Sequence, residues 1–253
     1  MRRIVATVDG VVERILGRRP GADEIWFLVL FFVVAGCLWL FAEAAEVANA
    51  DDLRGIEIQI LEAFREPGDV TDPLGPVWFE QAVRDLTALG GTTVLTLLSL
   101  IVAGFFVLER QPRILAFLAF AVITGLLLSL ALKAGFDRPR PDFLPHGQTV
   151  YTASFPSAHS MNSAVVYLTL GAIIARTRPR RLIKIYVLSM AALITVLVGV
   201  SRVYLGVHWP TDVVAGWAAG AAWAGICSLV VLWLQRRRVL ERSVGDATVS
   251  RGP

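Results

Sequence analysis

Three short clusters of polar residues interrupt an otherwise apolar chain, and their side chains could bind and transfer phosphate. In chain order, the clusters are Lys133 with Arg138-Pro139-Arg140-Pro141, then Pro156-Ser157-Ala158-His159-Ser160, and then Ser201-Arg202 with His208-Trp209-Pro210-Thr211-Asp212. Lys133, Arg140 and Arg202 supply three cations for anionic oxygens, and each guanidinium can engage two oxygens. If helices begin near Ser157 and Pro210, their free backbone N–H groups would add to this anion-binding region.

Two histidines in these clusters suit the roles that phosphoryl transfer requires, because imidazole is readily poised near neutral pH. His208 and Asp212 are four residues apart, a spacing that can place the carboxylate beside an imidazole nitrogen across a helix start. Such a contact would fix the imidazole tautomer and raise its basicity, as in other histidine–carboxylate pairs. We therefore predict that His208 is the nucleophile and that His159, which has no acidic neighbour in sequence, is the general acid.

The other titratable residues near the clusters have weaker support. His146 is predicted to be a solvated loop residue, and Asp137 and Asp142 are isolated carboxylates without the spacing of metal ligands. The sequence therefore predicts neither a metal site nor another cofactor. Cys37 and Cys227 lie in apolar runs, where a thiol packs as a small hydrophobic group.

The elements that must hold the clusters are apolar segments long enough to cross a membrane. Of the 253 residues, 55% are hydrophobic and only 18% are charged, and the mean hydropathy is +0.62. A helix crosses the hydrocarbon core in about 20 residues. We predict an all-α, polytopic membrane protein with six spans, at residues 25–43, 92–108, 114–132, 161–175, 185–200 and 213–234.

Basic residues indicate how these spans are oriented. Most of the 24 Lys and Arg residues lie in residues 1–24, in the loops near 110 and 180, and in the tail 235–253. Since basic residues concentrate in cytoplasmic loops, we predict that both termini are cytoplasmic and that the clusters face the extracytoplasmic side of the inner cell membrane. The pI of about 9.2 comes from these short groups rather than from a continuous stripe, so nucleic acid is not an expected partner.

The predicted membrane domain covers residues 25–234, between the cytoplasmic segment 1–24 and the basic cytoplasmic tail 235–253. Within it, the extracytoplasmic segment 44–91 is too polar to cross the bilayer. Apolar residues recur at helical spacing on both sides of Pro67-Gly68, which predicts two short amphipathic helices at the membrane surface. We interpret them as a cap on the bundle, with guidance of a lipid headgroup as the alternative.

Two further features concern the first and last spans. An uncleaved first span is favoured over a secretory signal cleaved near residues 47–50, because the apolar stretch is long enough to cross the membrane. In the last span, Gly216, Gly220 and Ala224 place a small residue at every fourth position, which predicts close packing against another helix.

The three clusters resemble the motifs of the type 2 phosphatidic acid phosphatase family, which shares its site with vanadium-dependent haloperoxidases. The spacings from Lys133 to Arg140-Pro141, and from Ser201-Arg202 to His208 and Asp212, match the family pattern. The segment Pro156-Ser157-Ala158-His159 is similar to its Pro-Ser-Gly-His motif, and Ala158 in place of glycine is the single departure.

This resemblance implies a metal-independent enzyme that removes phosphate from a lipid phosphate or diphosphate. By the resemblance, His208 would form a phosphohistidine intermediate, Asp212 would support it, and His159 would protonate the leaving group. The phosphate would be held by Lys133, Arg140, Ser157, Ala158 through its backbone, and Arg202. Undecaprenyl diphosphate, phosphatidylglycerol phosphate and phosphatidic acid are the candidate substrates.

Two other functions stay open from the sequence. A vanadate-dependent haloperoxidase could use the same anion site, although the peroxidases of this family are soluble. A non-catalytic lipid-binding or transport protein is the other alternative, yet transport would require ionisable residues along the middle of the spans, which are almost free of them. The expected partners are a membrane lipid substrate and the bilayer, and the oligomeric state stays unknown.

Overall fold

The computed structural model describes residues 22–50, 53–141 and 153–249. These residues form, in order, α1 (Ala22–Ala50), α2 (Arg54–Glu62), β1 (Arg65–Glu66), β2 (Asp69–Pro73), α3 (Val77–Ala88), α4 (Thr92–Leu108), α5 (Pro112–Ala134), α6 (Ala158–Thr177), α7 (Arg181–Tyr204) and α8 (Pro210–Val249). Apart from the short antiparallel β1–β2 hairpin, the regular elements of the described residues are all helices, which confirms the all-α prediction.

The long helices form a multi-pass membrane protein. Five of them, namely α1, α5, α6, α7 and the part of α8 up to Gln235, are long and apolar enough to cross a bilayer. Helices α3 and α4 meet that test only as a pair, joined at a bend of 50°. The described chain therefore has up to six spans, and the second of them is broken rather than straight.

Helix ends in this bundle follow from local sequence. Pro112 and Pro210 begin α5 and α8, where a proline has no N–H to leave unsatisfied and its φ is already helical. Ser157 caps α6, because its side-chain oxygen accepts a hydrogen bond from the backbone N–H of Ser160. Both starts lie where the polar clusters led us to predict them.

Helix α6 is the most enclosed of the spans and lies at the centre of the bundle. It packs against α5, α7 and α8, while α1 packs along α8. Buried polar residues on α6, such as Ser160, Asn162 and Ser163, are therefore surrounded by protein rather than by lipid. This enclosure gives the N-terminal end of α6 a fixed position.

The small-residue stripe of α8 is the surface that α6 packs against. A Cβ atom added to Gly216 would lie 2.6 Å from the backbone oxygen of Ser157, and one added to Gly220 would lie 2.5 Å from that of Met161. Both distances are too short for any side chain, so the predicted close approach of two backbones is confirmed at these positions.

We expect Gly220→Val to prevent the bundle from assembling, because the valine would push α8 away from α6. The measurement is the yield of monodisperse protein on size-exclusion chromatography after detergent extraction. Gly104→Val is the matched control, since an added Cβ on Gly104 meets nothing within 4 Å. A Gly220→Val protein that elutes with the wild-type yield and position would contradict this packing.

The segment between α1 and α4 covers one end of the bundle. Gly68 turns the hairpin with a positive φ of 94°, a conformation that glycine adopts at no steric cost. The guanidinium of Arg65 donates to the backbone oxygen of Tyr204 at the end of α7 (2.7 Å), and the Tyr204 hydroxyl donates to the backbone oxygen of Leu74 (2.9 Å). These contacts hold the segment on the end of the bundle that also carries the polar clusters.

Candidate active site

The three polar clusters meet at one end of the bundle, where α5 and α7 end and α6 and α8 begin. The backbone N–H of Ser154, two residues before the second cluster, donates to the oxygen of Arg138 in the first cluster (2.8 Å). The backbone N–H of Ser157 donates to the oxygen of Asp212 (3.0 Å), which joins the second and third. The alternating directions of the helices thus bring together residues that lie far apart in sequence.

His208 and Asp212 form the buried pair that their spacing predicts. His208 Nδ1 lies 3.3 Å from Asp212 Oδ2, and both side chains are almost fully buried. The same carboxylate oxygen accepts from the backbone N–H of Trp209 (3.0 Å) and from the hydroxyl of Ser154. Because several donors converge on it, the carboxylate is held in one orientation toward the imidazole.

The other nitrogen of His208 faces a cation. Arg140 Nη1 lies 3.1 Å from His208 Nε2 and also donates to the backbone oxygen of Val207 (2.7 Å). A guanidinium has no acceptor, so His208 Nε2 must accept the hydrogen bond, and the imidazole proton must be on Nδ1 facing Asp212. In this tautomer, the Nε2 lone pair of His208 faces the Arg140 guanidinium and accepts its hydrogen bond.

Burial determines the protonation state of His208. It lowers the pKa of His208 to about 3, and the hydrogen bond and charge of Asp212, which act in the opposite direction, offset only part of this shift. Asp212 acts in the direction that the sequence predicted, since its hydrogen bond and its charge raise the pKa of His208, but desolvation of the charged imidazolium outweighs this contribution. With so low a pKa, the imidazole is neutral at physiological pH, and Nε2 carries no proton.

His159 lies in the first turn of α6, within electrostatic range of the predicted site residues. The groups whose charges act on it are Arg202, His208, Lys133 and Arg140. Lys133 in turn interacts with Arg140, Arg202 and Asp212. The structure therefore brings the two histidines and the three predicted cations into one region, whose positive charge favours a bound anion.

Ser157 and Ala158 form the N-terminal end of α6 beside this region. Ser157 is fully buried, and its backbone N–H is already bonded to Asp212. Ala158 is the first helical residue, and the N–H groups of a first helical turn have no acceptor within the helix. Of these two residues, Ala158 offers its backbone N–H to an anion, whereas Ser157 offers only its hydroxyl.

Sequence reasoning missed a second layer of charged residues behind Asp212. Arg138 belongs to the first cluster, but the sequence predicted no role for it. In the structure, Arg138 Nη1 lies 2.7 Å from Asp212 Oδ1. Its Nη2 lies 2.6 Å from Oε2 of Glu57, a residue of α2 that was not considered at all. One feature of the sequence could have identified Glu57. It lies four residues before Leu61, on the same face of α2, and an acid on a buried face needs a partner.

The bend between α3 and α4 lies directly against His159. A Cβ atom added to Gly90 would lie 2.3 Å from Val198 Cγ1 and 3.3 Å from His159 Cβ. Arg202 Nη1 donates to Thr87 Oγ1 at 3.3 Å, and the hydroxyl of Tyr167 donates to the backbone oxygen of Leu89 at 2.9 Å. The broken second span thus forms one wall of the site.

The three loop residues that had weaker support in the sequence, Asp137, Asp142 and His146, are not among the described contacts of the site. Asp137 is exposed, while His146 and Asp142 fall in residues 142–152, which the structure does not describe. Among the described residues, no group of three or more His, Cys, Asp or Glu side chains has a metal-binding arrangement.

A bundle of membrane spans that gathers two histidines, an aspartate and three cations at one end defines a membrane protein with a positively charged polar site. The chain belongs to the PAP2 superfamily, whose family model matches residues 114–236. That match includes all three polar clusters and both helix starts.

Individual relatives support this assignment. The chain is 39% identical over 150 residues to phosphatidylglycerophosphatase B of Bacillus subtilis (strain 168), covering 56% of this chain and 70% of that relative. It is 36% identical over 78 residues to an undecaprenyl-diphosphatase of Sulfolobus acidocaldarius, covering 31% of this chain and 33% of that relative. Its fold is similar to the crystal structure of a transmembrane PAP2-type phosphatidylglycerolphosphate phosphatase from Bacillus subtilis, with a TM-score of 0.66 and 31% identity over 76% of this chain and 94% of that one.

Proposed function

We propose that this protein is a metal-independent phosphatase that removes phosphate from a lipid phosphate or diphosphate through a phosphohistidine on His208. The observation that carries the proposal is the position of the His208 imidazole, with Nδ1 beside the buried Asp212 and Nε2 beside Arg140. Burial lowers the pKa of His208 to about 3, which favours the neutral imidazole. A nucleophile needs such an unprotonated nitrogen, and a phosphate needs a cation such as Arg140 beside it. Relatives named as lipid phosphatases support the same chemistry.

In the first step, His208 Nε2 attacks phosphorus as the bond from phosphorus to the leaving oxygen breaks. Arg140 turns from the imidazole to the phosphate oxygens, together with Lys133 and Arg202, and so frees the lone pair. Asp212 stabilises the positive charge that develops on the imidazole. The negative charge of the bound phosphate offsets the cations around His159 and favours its protonated form, which donates a proton to the leaving oxygen as the lipid alcohol or lipid monophosphate departs.

In the second step, water attacks the phosphohistidine. His159, now neutral, takes a proton from the water, so that the phosphorus–nitrogen bond breaks and inorganic phosphate leaves. The two steps consume one water molecule and restore both histidines. The three cations, the hydroxyl of Ser157 and the backbone N–H of Ala158 hold the phosphate throughout and supply positive charge without a metal.

The candidate substrates are undecaprenyl diphosphate, phosphatidylglycerol phosphate and phosphatidic acid. A site at the end of a membrane bundle suits a lipid whose acyl or isoprenoid chain stays in the bilayer while its phosphate reaches the cations. We further propose that this end faces the extracytoplasmic side of the inner membrane and that both termini are cytoplasmic, as the basic loops indicate.

Phosphate release by the purified, detergent-solubilised protein tests the function. The assay compares phosphatidic acid, phosphatidylglycerol phosphate, isoprenoid diphosphates, sphingoid phosphates and lipid A, with and without a chelator. We expect release from at least one lipid, undiminished by the chelator. No release from any of them, or release that depends on an added divalent cation, would overturn the proposal.

The wall formed by the α3–α4 bend gives a second test of the site. We expect Gly90→Val to lower phosphate release strongly, because the new side chain must displace Val198 and move His159 away from the leaving group. A shift of about 1 Å in a catalytic group can cost about 100-fold in rate. Gly36→Val is the control, since an added Cβ on Gly36 meets nothing within 4 Å. Equal rates for the two variants would show that the bend does not position His159.

A further inference from the structure

The segment that caps the bundle supplies a buried acid to the catalytic end. We infer that Glu57 of α2 is a positioning residue for the reaction, which acts through Arg138 on Asp212 and so on His208. This inference rests on the proposed function. It also gives the capping segment a catalytic purpose beyond covering the bundle.

Four charged or polar side chains form a continuous chain of contacts to the nucleophile. Arg138 donates from Nη2 to Glu57 Oε2 (2.6 Å) and from Nη1 to Asp212 Oδ1 (2.7 Å), and Asp212 Oδ2 contacts His208 Nδ1 (3.3 Å). The exposed fractions are 2% for Glu57, 7% for Arg138 and 0% for Asp212. Because these side chains are buried away from water, each charge acts on its neighbours with little screening.

Glu57 changes the charge that the imidazole experiences. Without Glu57, Arg138 and Asp212 would form a neutral ion pair. The positive charge of Arg138 would then cancel the negative charge that stabilises a cationic His208. With Glu57 as a second carboxylate on the same guanidinium, the three groups carry a net charge of one negative. Because the guanidinium pairs with both carboxylates, it offsets less of the negative charge on Asp212. That charge stabilises the positive imidazole when His208 attacks phosphorus.

Glu57 also fixes the helix start that carries Asp212. Its Oε1 accepts from the backbone N–H of Thr211 (3.1 Å) and from the Thr211 hydroxyl, which in turn accepts from Arg138 Nη1 (2.7 Å). A carboxylate at a helix N-terminus is favourable, because it satisfies a free N–H and faces the positive end of the helix dipole. One acid therefore sets both the charge and the position of the Asp212 carboxylate.

The test is Glu57→Gln, which keeps the shape of the side chain and removes its charge. We expect kcat to fall by about 10-fold to 100-fold, the scale seen for residues that orient metal-bound histidines, while KM stays unchanged. The matched control is Glu62→Gln, an exposed acid on the same helix, which we expect to match wild type. A purely structural role for Glu57 would lower the yield of folded enzyme and leave kcat per folded molecule unchanged.

A double-mutant cycle with Arg138→Gln tests the route of the effect. If Glu57 acts through Arg138, Glu57→Gln should lower kcat much less in the Arg138→Gln background than in wild type. Arg138→Gln alone leaves the carboxylates of Glu57 and Asp212 without their shared cation, and the double variant keeps only that of Asp212. An equal factor in both backgrounds would overturn the proposed route.

The outcomes separate this inference from the proposed function. A wild-type protein that releases no phosphate refutes the function, whereas an active wild type with an equally active Glu57→Gln refutes the inference alone. If Glu57→Gln does not fold, Glu57→Asp is tested in its place. The aspartate keeps the negative charge, but its side chain is too short to reach Arg138 and Thr211 together. We then expect a smaller fall in kcat at constant KM, and an unchanged kcat overturns the inference.

Discussion

Replacing His208 with alanine is expected to abolish phosphate release while the protein still folds. The imidazole is the group proposed to form a bond with phosphorus, and without it neither step of the reaction has a route. Loss of a catalytic nucleophile costs about 10⁴-fold or more in other hydrolases that form covalent intermediates. The measurements are phosphate release from the best lipid substrate and the amount of labelled phosphate that becomes covalently attached to the protein.

Folding of the His208→Ala protein is checked by size-exclusion chromatography and thermal unfolding. Binding of orthovanadate, an analogue of phosphate, serves as the second control, because Lys133, Arg140 and Arg202 are still present and should retain it. We expect normal elution and measurable vanadate binding without turnover or labelled protein. Turnover retained in this variant would remove His208 as the nucleophile.

Replacing His159 with glutamine is expected to lower phosphate release from a lipid by about 10²-fold to 10⁴-fold, the usual contribution of a general acid or base. A lipid alkoxide is a poor leaving group and needs a proton as the phosphorus–oxygen bond breaks. A substrate with an acidic leaving group, such as p-nitrophenyl phosphate, does not. The loss should therefore be much smaller on the aryl phosphate.

The comparison between substrates separates the two histidines. The His208→Ala protein is the control, since the absence of a nucleophile should cost as much on the aryl phosphate as on the lipid. The ratio of the two rates is the quantity to measure, because a general loss of folded enzyme cancels from it. Equal losses for His159→Gln on both substrates would show that His159 does not protonate the leaving group.

In the segment between α1 and α4, the sequence pattern predicted the helices but not their packing partners. Apolar spacing on either side of Pro67-Gly68 predicted two helices, and α2 and α3 are present with a hairpin between them. That spacing marks one face of a helix, yet it does not say what the face packs against. Ile56 is 55% exposed, whereas its polar neighbour Glu57 is buried, because Arg138 and Thr211 satisfy the carboxylate there.

The sequence by itself determined the membrane bundle, the helix ends that carry the polar clusters, and the contact of His208 with Asp212. These are local properties, since apolar length, capping residues and a separation of four residues act within one helix or at its start. Motif spacing also selected the two histidines and three cations that the tertiary structure brings into one region.

Only the tertiary structure decided the environment of those groups. Arg138 meets Glu57 across 81 residues of chain and Asp212 across 74, and no local pattern encodes which partners fold together at such separations. The bend that places Gly90 against His159 depends in the same way on how α3 and α4 pack. The low pKa of His208 is likewise a property of burial, because the energy of a charge depends on everything that replaces water around it.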